Sequence, residues 1–301
     1  MRHGVAKSEV YMFQRERIAD GVYSFQSDIY AQVNAGAVIG PDWVVVIDTL
    51  ALPEESIAIR NFIEQEINLP IRYVINTHSH ADHAWGNCFF PGATIAAHSL
   101  CRQFLDTKGR ASLEAIRKTN LSYKNAHIVL PQITFGRGEL KLQVGKKTLK
   151  LFPLPGPCSD NIGILIEEDR VLFAGDAIMP IPYIVDGDYD ETIETLKEIS
   201  KMGLENIVQG HGDIVLRGEV ELFTKENIDY LIKLKRIVRS SARRKYPRDV
   251  LDVADIEDCG KSRVLIGGLA PELHHNNLLA LYKQIYGEPA RGVDDDDYYE
   301  V

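Results

Sequence analysis

Apolar positions along this chain fall into short runs and alternations punctuated by turn residues, so they predict strands first. Val22-Tyr23-Ser24-Phe25, Asn34-Ala35-Gly36-Ala37-Val38-Ile39 and Trp43-Val44-Val45-Val46-Ile47-Asp48 read as three successive strands, with a turn at Gly40-Pro41-Asp42. The unbroken run Val44–Ile47 has the pattern of a strand buried on both faces. Pro53 can open a helix with Glu54 and Glu55 in its first turn, and Ile57, Ile59, Phe62 and Ile63 supply an apolar stripe before Pro70 ends it. Residues 72–76 form the next strand. Strand, helix, strand is the order of an α/β sheet, and such sheets place ligands at the C-terminal ends of their strands.

Residues 94–98 continue as a short strand, and 99–119 are expected to be helical, with Leu100, Phe104, Leu113 and Ile116 apolar. Residues 120–137 carry no clear period. The second half repeats the strand pattern at Leu140–Val144, Lys147–Pro153, Ile162–Ile166 and Val171-Leu172-Phe173-Ala174, then gives an amphipathic helix over 190–202 and a last short strand at Ile207-Val208. Two sets of strands with helices between them predict two sheets packed face to face under helices. Residues 218–245 read as a helix that turns basic towards its end (233–245), the pattern of a solvated face. After a break at Pro247, residues 249–292 are expected to hold a terminal helix over 276–286. The resulting division is a loosely fixed lead over 1–20, a main domain over 21–215, a helical appendage over 216–292, of which 249–292 is alternatively a dimer contact, and an acidic tail over 293–301 that includes Asp294 to Asp297.

The length of 301 residues suffices for a sizeable core, and a formal net charge of −9 disfavours a general nucleic-acid-binding surface. Cys88, Cys101, Cys158 and Cys259 make no CxxC pair or dense framework, no window approaches 18 uninterrupted apolar residues, and the start has no signal-peptide pattern. The expectation is a cytoplasmic protein without a membrane span, acting on a small molecule, with a homodimer possible.

Chemistry concentrates in Thr77-His78-Ser79-His80-Ala81-Asp82-His83, where three imidazoles and a carboxylate follow a strand. Such mixed nitrogen and oxygen donors suit zinc, iron or manganese. Asp176 in Phe173-Ala174-Gly175-Asp176 and His211 in Gly210-His211-Gly212 also stand at strand ends in glycine-shaped loops. His98 and His127 fall outside these motifs and read as structural. His274-His275 reads as a surface pair on an appendage that could reach the site, and Tyr183, after Pro180-Ile181-Pro182, as a substrate contact.

On these motifs, over roughly residues 20–215, the chain resembles the metallo-β-lactamase-fold metallo-hydrolase superfamily. His78-x-His80-x-Asp82-His83 matches its signature residue for residue, and the Ile47-Asp48 strand end, Gly86-Asn87, Asp176 and His211 follow in order. The resemblance implies an α/β, four-layer αββα sandwich with a C-terminal helical appendage and a dinuclear site. His78 and His80 would serve one metal and Asp82, His83 and His211 the other, with Asp176 bridging. The family's Pro-Gly-His motif reads Pro155-Gly156-Pro157-Cys158 here, so Pro157 stands where a third histidine of the first site is expected. Either Cys158 supplies a thiolate in its place, or Cys158 is a buried thiol and the first site is weak or empty.

The expected activity is hydrolysis of a small ester, thioester, lactone or amide through a metal-bound hydroxide, since a divalent ion lowers the pKa of bound water from about 16 towards about 7. Asp82 would orient that water or carry its proton, and one or two Zn2+ per chain are expected, with Fe or Mn as other occupants. No Gly-x-Ser-x-Gly nucleophile motif is present, which fits. The other readings are a mononuclear iron oxidoreductase acting on thiol-type substrates and a degenerate metal-binding member.

Overall fold

Within the strand Val44–Ile47, Val44 and Val46 pack with one hydrophobic cluster and Val45 and Ile47 with another. That split follows from the two-residue period of a strand, and it recurs across the computed structural model, which describes residues 13–291. The acidic tail expected at 293–301 lies outside the described residues. A seven-stranded sheet runs in chain order through β1 (Phe13–Ala19), β2 (Val22–Ser27), β3 (Asn34–Ile39), β4 (Val44–Ile47), β5 (Ile71–Ile75), β6 (Thr94–His98) and β7 (Ile133–Phe135). Its first four strands are antiparallel and β4 to β7 are parallel.

The second sheet has six strands, β8 (Leu140–Val144), β9 (Lys147–Pro153), β10 (Ile162–Ile166), β11 (Val171–Gly175), β12 (Asn206–Gln209) and β13 (Val215–Leu216), with β13 and β8 at its edges. Between the sheets lie Val38, Val45, Ile47 and Ile75 from the first and Leu149, Leu151, Ile164 and Phe173 from the second, all buried. Each such side chain contributes about 1.5–3 kcal/mol of burial free energy.

Helices cover both outer faces. On the first sheet, Ile59 of α1 (Pro53–Asn61) and Phe62 and Ile63 just beyond it meet Val44, Val46 and Val74. Beside them run the single-turn α2 (Ala81–Ala84), α3 (Ser99–Phe104) and α4 (Arg110–Ile116), the last two joined by a π-helical turn at Leu105–Gly109. On the second sheet, Leu172, Ala174 and Ile207 pack with Leu196 and Ile199 of α5 (Tyr189–Ile199), Leu231 and Leu234 of α6 (Val220–Ser241) and Leu278 of α8 (Ala270–Tyr286). The result is the four-layer αββα sandwich. The C-terminal helices share a core with the second sheet.

Three expectations change. The lead segment is not loose throughout: Phe13–Ala19 pairs antiparallel with β2, and only Phe13 of its side chains is fully buried. An edge strand can stay polar, so its composition resembled a solvated lead. Residues 120–137 hold a 3₁₀ turn at Leu121–Asn125 and the short edge strand β7. Pro247 opens a helix, α7 (Pro247–Asp252), and the terminal helix starts at Ala270, well before residue 276. No helix among the described residues is long and apolar enough to cross a membrane.

Candidate metal centre

Four strand ends meet at one edge of the sandwich: Asp48 after β4, the histidine cluster after β5, Asp176 after β11 and His211 after β12. Backbone hydrogen bonds fasten the two sheets there. Ile162 N–H donates to Thr77 O at 2.9 Å, and Asn34 N–H to Gly210 O at 2.8 Å. The Asn34 side chain adds donations to Gln209 O and Gly212 O, so β3 holds the loop that carries His211.

The two carboxylate oxygens of Asp176 face different pairs of imidazoles. Oδ2 lies 3.3 Å from His78 Nε2 and 3.6 Å from His80 Nδ1. Oδ1 lies 3.4 Å from His83 Nε2 and 3.6 Å from His211 Nε2. Asp82 Oδ2 completes the second group, 3.4 Å from His211 Nε2 and 3.9 Å from His83 Nε2. His78 Nε2, His83 Nε2 and Asp176 Oδ1 are buried and have no hydrogen-bond partner. Atoms bonded to one ion at about 2.0–2.1 Å in tetrahedral geometry stand about 3.4 Å apart. The donor set therefore fits one or two divalent ions. Among the described residues, two groups of three have the spacing to hold an ion, His78 with His83 and Asp176, and Asp82 with His83 and His211.

The outward nitrogens explain why the inward ones converge. His78 Nδ1 lies 2.9 Å from Thr77 Oγ1, His83 Nδ1 2.9 Å from Asp48 Oδ2, and His211 Nδ1 2.9 Å from Ala31 O. Asp48 also accepts from Thr77 N–H and Thr77 Oγ1–H, which joins the end of β4 to the start of the motif. The carbonyl of His83 is held by the side chains of Thr49 and Asn76, the latter paired to Asn87. Partners of this kind fix the tautomer and aim of metal-binding imidazoles.

Charge is finely opposed in the cluster. Burial pushes His78 below the ordinary histidine value, and neighbouring His83 adds to that. His83 goes the other way: burial works to lower it, but Asp82, Asp176 and Asp48 raise it well above the usual range. Burial alone would raise Asp82 and Asp176, yet the imidazoles around them hold Asp82 below and Asp176 well below the ordinary carboxylate range. Against burial, Asp176 and Asp186 push His80 up to about 10. The two carboxylates thus demand positive charge beside them, as protons on imidazole or as a cation.

All six motif residues, His78, His80, Asp82, His83, Asp176 and His211, come together. His80 and Cys158 both stand outside the two three-residue groups, His80 meeting the cluster through Asp176 Oδ2; burial, with Asp160 and Asp176 nearby, holds the Cys158 thiol well above the usual range. Tyr183 hydrogen-bonds Asn276 and is half-buried between its loop and α8. His98 caps α3 and meets Gly136 O, the structural role expected, and His127 is exposed. His274 is not a surface residue: it is buried against Tyr230, because α8 turns that face into the core.

Three carboxylates missed as site residues support or border the cluster. Asp48 orients His83 and Thr77, Asp160 accepts the Ser79 N–H, and Asp186 lies 3.5 Å from His80 Nε2. Asp48 was visible only as a strand end. Its φ of +56° places a non-glycine residue in the left-handed region, the kind of strain that marks functional sites.

A family profile described as the metallo-beta-lactamase superfamily matches residues 30–211. The beta-lactamase-like protein 2 homolog of Caenorhabditis elegans is 25% identical over 169 residues, covering 56% of this chain and 51% of that protein. The chain thus spans about half the length of that relative. The acyl-coenzyme A thioesterase MBLAC2 of Homo sapiens is 25% identical over 232 residues, covering 68% of this chain and 82% of that protein. Among solved structures, a metallo-beta-lactamase from Pontibacter korlensis aligns with a TM-score of 0.60 at 15% identity, over 73% of this chain and 99% of that one. The sec-alkylsulfatase Pisa1 from Pseudomonas sp. aligns with a TM-score of 0.71 at 16% identity, over 91% of this chain and 50% of that one. At these identities the structural likeness is one of fold.

Proposed function

This chain belongs to the metallo-β-lactamase superfamily, and we propose that it is a metal-dependent hydrolase of a small thioester. The observation that carries the reading is the division of Asp176, one oxygen turned to His78 and His80 and the other to His83 and His211. In this reading His78, His80 and Asp176 hold one ion, and Asp82, His83, His211 and Asp176 the other. A divalent ion there supplies Lewis acidity and a water that is acidic at neutral pH. Zinc is the proposed occupant, and the same nitrogen and oxygen donors accept iron or manganese.

Asp82 keeps part of its side chain open to the mouth of the site while Oδ2 faces His211. In this reading Asp82 would orient the attacking water and take its proton, a role worth about 10²–10⁴ in rate. A cleft of about 290 Å³ opens beside His80, with Trp85 and Phe104 as apolar wall and Lys108 and Ser112 as polar groups. That wall suits an acyl chain, and Cys158 is part of the same lining as a neutral thiol.

Thioester is favoured over ester, lactone or amide because three relatives are named thioesterases, one of them the Bos taurus counterpart of the human protein. The other two are the human protein above and thioesterase pkgB of Emericella nidulans, 25% identical over 173 residues, 57% of this chain and 43% of that protein. A cytoplasmic setting belongs to the same proposal, since it keeps the four free cysteines reduced.

The test is turnover by metal-loaded protein of acyl-coenzyme A thioesters of increasing chain length, beside the matching oxygen esters. Hydrolysis that a chelator abolishes and zinc restores supports the reading. It fails if no thioester is turned over, or if the protein purifies with iron and consumes oxygen with a thiol substrate.

A further inference from the structure

Pro157 offers no side-chain donor at the place where the resemblance expects a third histidine, and another segment packs against it. Residues 184–188 run beside 156–158: Asp188 N–H donates to Gly156 O at 2.9 Å, and Cys158 and Asp186 form an isolated parallel bridge. The approach is so tight that a Cβ on Gly187 would lie 1.8 Å from Gly156 O and 2.5 Å from the Pro157 carbonyl carbon. This packing delivers the Asp186 carboxylate to the ring of His80, with Oδ2 3.5 Å from Nε2. His80 needs such a partner more than its neighbours do. Its ring is about a third exposed, whereas those of His78 and His83 are fully enclosed, and the outward nitrogens of His78, His83 and His211 already have partners.

We propose that Asp186 is the positioning residue of the first metal position, holding Nε2 of His80 so that Nδ1 stays aimed at the cluster. It acts through the imidazole and not as a ligand, because the ring lies between its carboxylate and Asp176: one ring nitrogen faces each. A carboxylate on the far nitrogen fixes the ring and makes it a stronger donor. That compensates for a position short of one histidine. The inference rests on the metal-dependent reading above.

The experiment is zinc titration of metal-free protein against a chromophoric chelator, for wild type, Asp186→Ala and Asp186→Asn, with His80→Ala identifying which equivalent depends on His80. The expected result is a loss of about 10–100-fold in affinity for that equivalent in Asp186→Ala, with the other equivalent unchanged. Asp186→Asn, which keeps a hydrogen-bond acceptor without the charge, recovers part of it. The melting temperature of the metal-free protein stays at the wild-type value, because the Asp186 side chain is half-exposed and the bridge to Cys158 is made by backbone. Unchanged affinity in Asp186→Ala overturns the inference alone, as does an equal loss at both equivalents together with a lowered metal-free melting temperature. A wild type that takes up no metal overturns the proposed function and this inference with it.

Discussion

The side chain of Asn277 holds the backbone of Ile184, its Oδ1 accepting the Ile184 N–H at 2.8 Å while its Nδ2 donates to Pro182 O at 2.7 Å. Asn277 is fully buried on α8, and Ile184 stands two residues before Asp186. One residue of the C-terminal helix therefore holds the loop that packs against the proposed first metal position.

Asn277→Leu keeps the number and branching of side-chain heavy atoms but leaves a buried N–H and a buried carbonyl unpaired. The expected cost is about 2–4 kcal/mol of stability, read as a lower denaturant midpoint with an unchanged slope. Because the loop is released, zinc affinity at the His80-dependent position also falls. A variant with wild-type stability and wild-type affinity refutes the coupling.

The same network predicts an acid sensitivity. The Tyr230 hydroxyl accepts from Asn277 Nδ2 at 3.2 Å and so donates to His274 Nδ1 at 3.1 Å, which requires that nitrogen to be unprotonated. Burial pushes His274 down to about 4, with His275 adding to the effect. Below the unfolded value of about 6.5 the unfolded chain binds a proton that the folded chain refuses, so stability falls as pH drops from about 6.5 to about 4. The loss from this group is at most about 3 kcal/mol. His274→Gln, which keeps an acceptor but does not titrate, flattens that part of the stability profile measured by urea unfolding. An identical slope in both proteins contradicts the assignment.

The six motif residues were legible because each stands within a few positions of a strand end and carries a donor in a glycine-shaped or histidine-dense context. The layers were legible for a similar local reason: Val44–Ile47 and Val171-Leu172-Phe173-Ala174 are apolar on both faces. Asp186 carried no such signal. Val185-Asp186-Gly187-Asp188 looks like any polar turn, and its meaning comes from contact with residues 156–158, about thirty positions away. β1 and β7 were obscure because edge strands need one buried face at most, and Arg15, Glu16 and Arg17 are exposed. His274 was misplaced because two adjacent histidines on a helix point in different directions, and sequence alone did not say which faced the core.

Asp48 should matter through His83. Its carboxylate meets His83 Nδ1 and both donors of Thr77, so Asp48→Asn replaces a charged acceptor by an amide that can bond only part of this set. The expected outcome is a loss of about 10–100-fold in zinc affinity at the position that includes His83. Hydrolysis at saturating zinc should recover more than hydrolysis at trace zinc. Equal affinity in Asp48→Asn and wild type, measured by chelator competition, removes Asp48 from the positioning role.

Gly210 gives the sharpest steric prediction. It precedes His211, and a Cβ there would lie 2.0 Å from Asp176 Oδ1, 2.9 Å from the Gly175 carbonyl carbon and 3.0 Å from Asp176 N. The backbone cannot yield easily, since Gly210 N–H donates to Gly175 O at 2.8 Å and Asn34 N–H donates to Gly210 O. The carboxylate of Asp176 is then the group that must move, and with it the oxygen shared by His83 and His211. Gly210→Ala is expected to cost about 1–3 kcal/mol of stability from overpacking and to weaken zinc binding at both positions, because Asp176 faces both. Gly218→Ala is the matched control: nothing lies within 4 Å of its added Cβ, so its stability and zinc binding should equal those of wild type. Metal content after dialysis against limiting zinc separates the two variants, and a Gly210→Ala protein that retains full zinc shows that Asp176 does not join the two halves of the cluster.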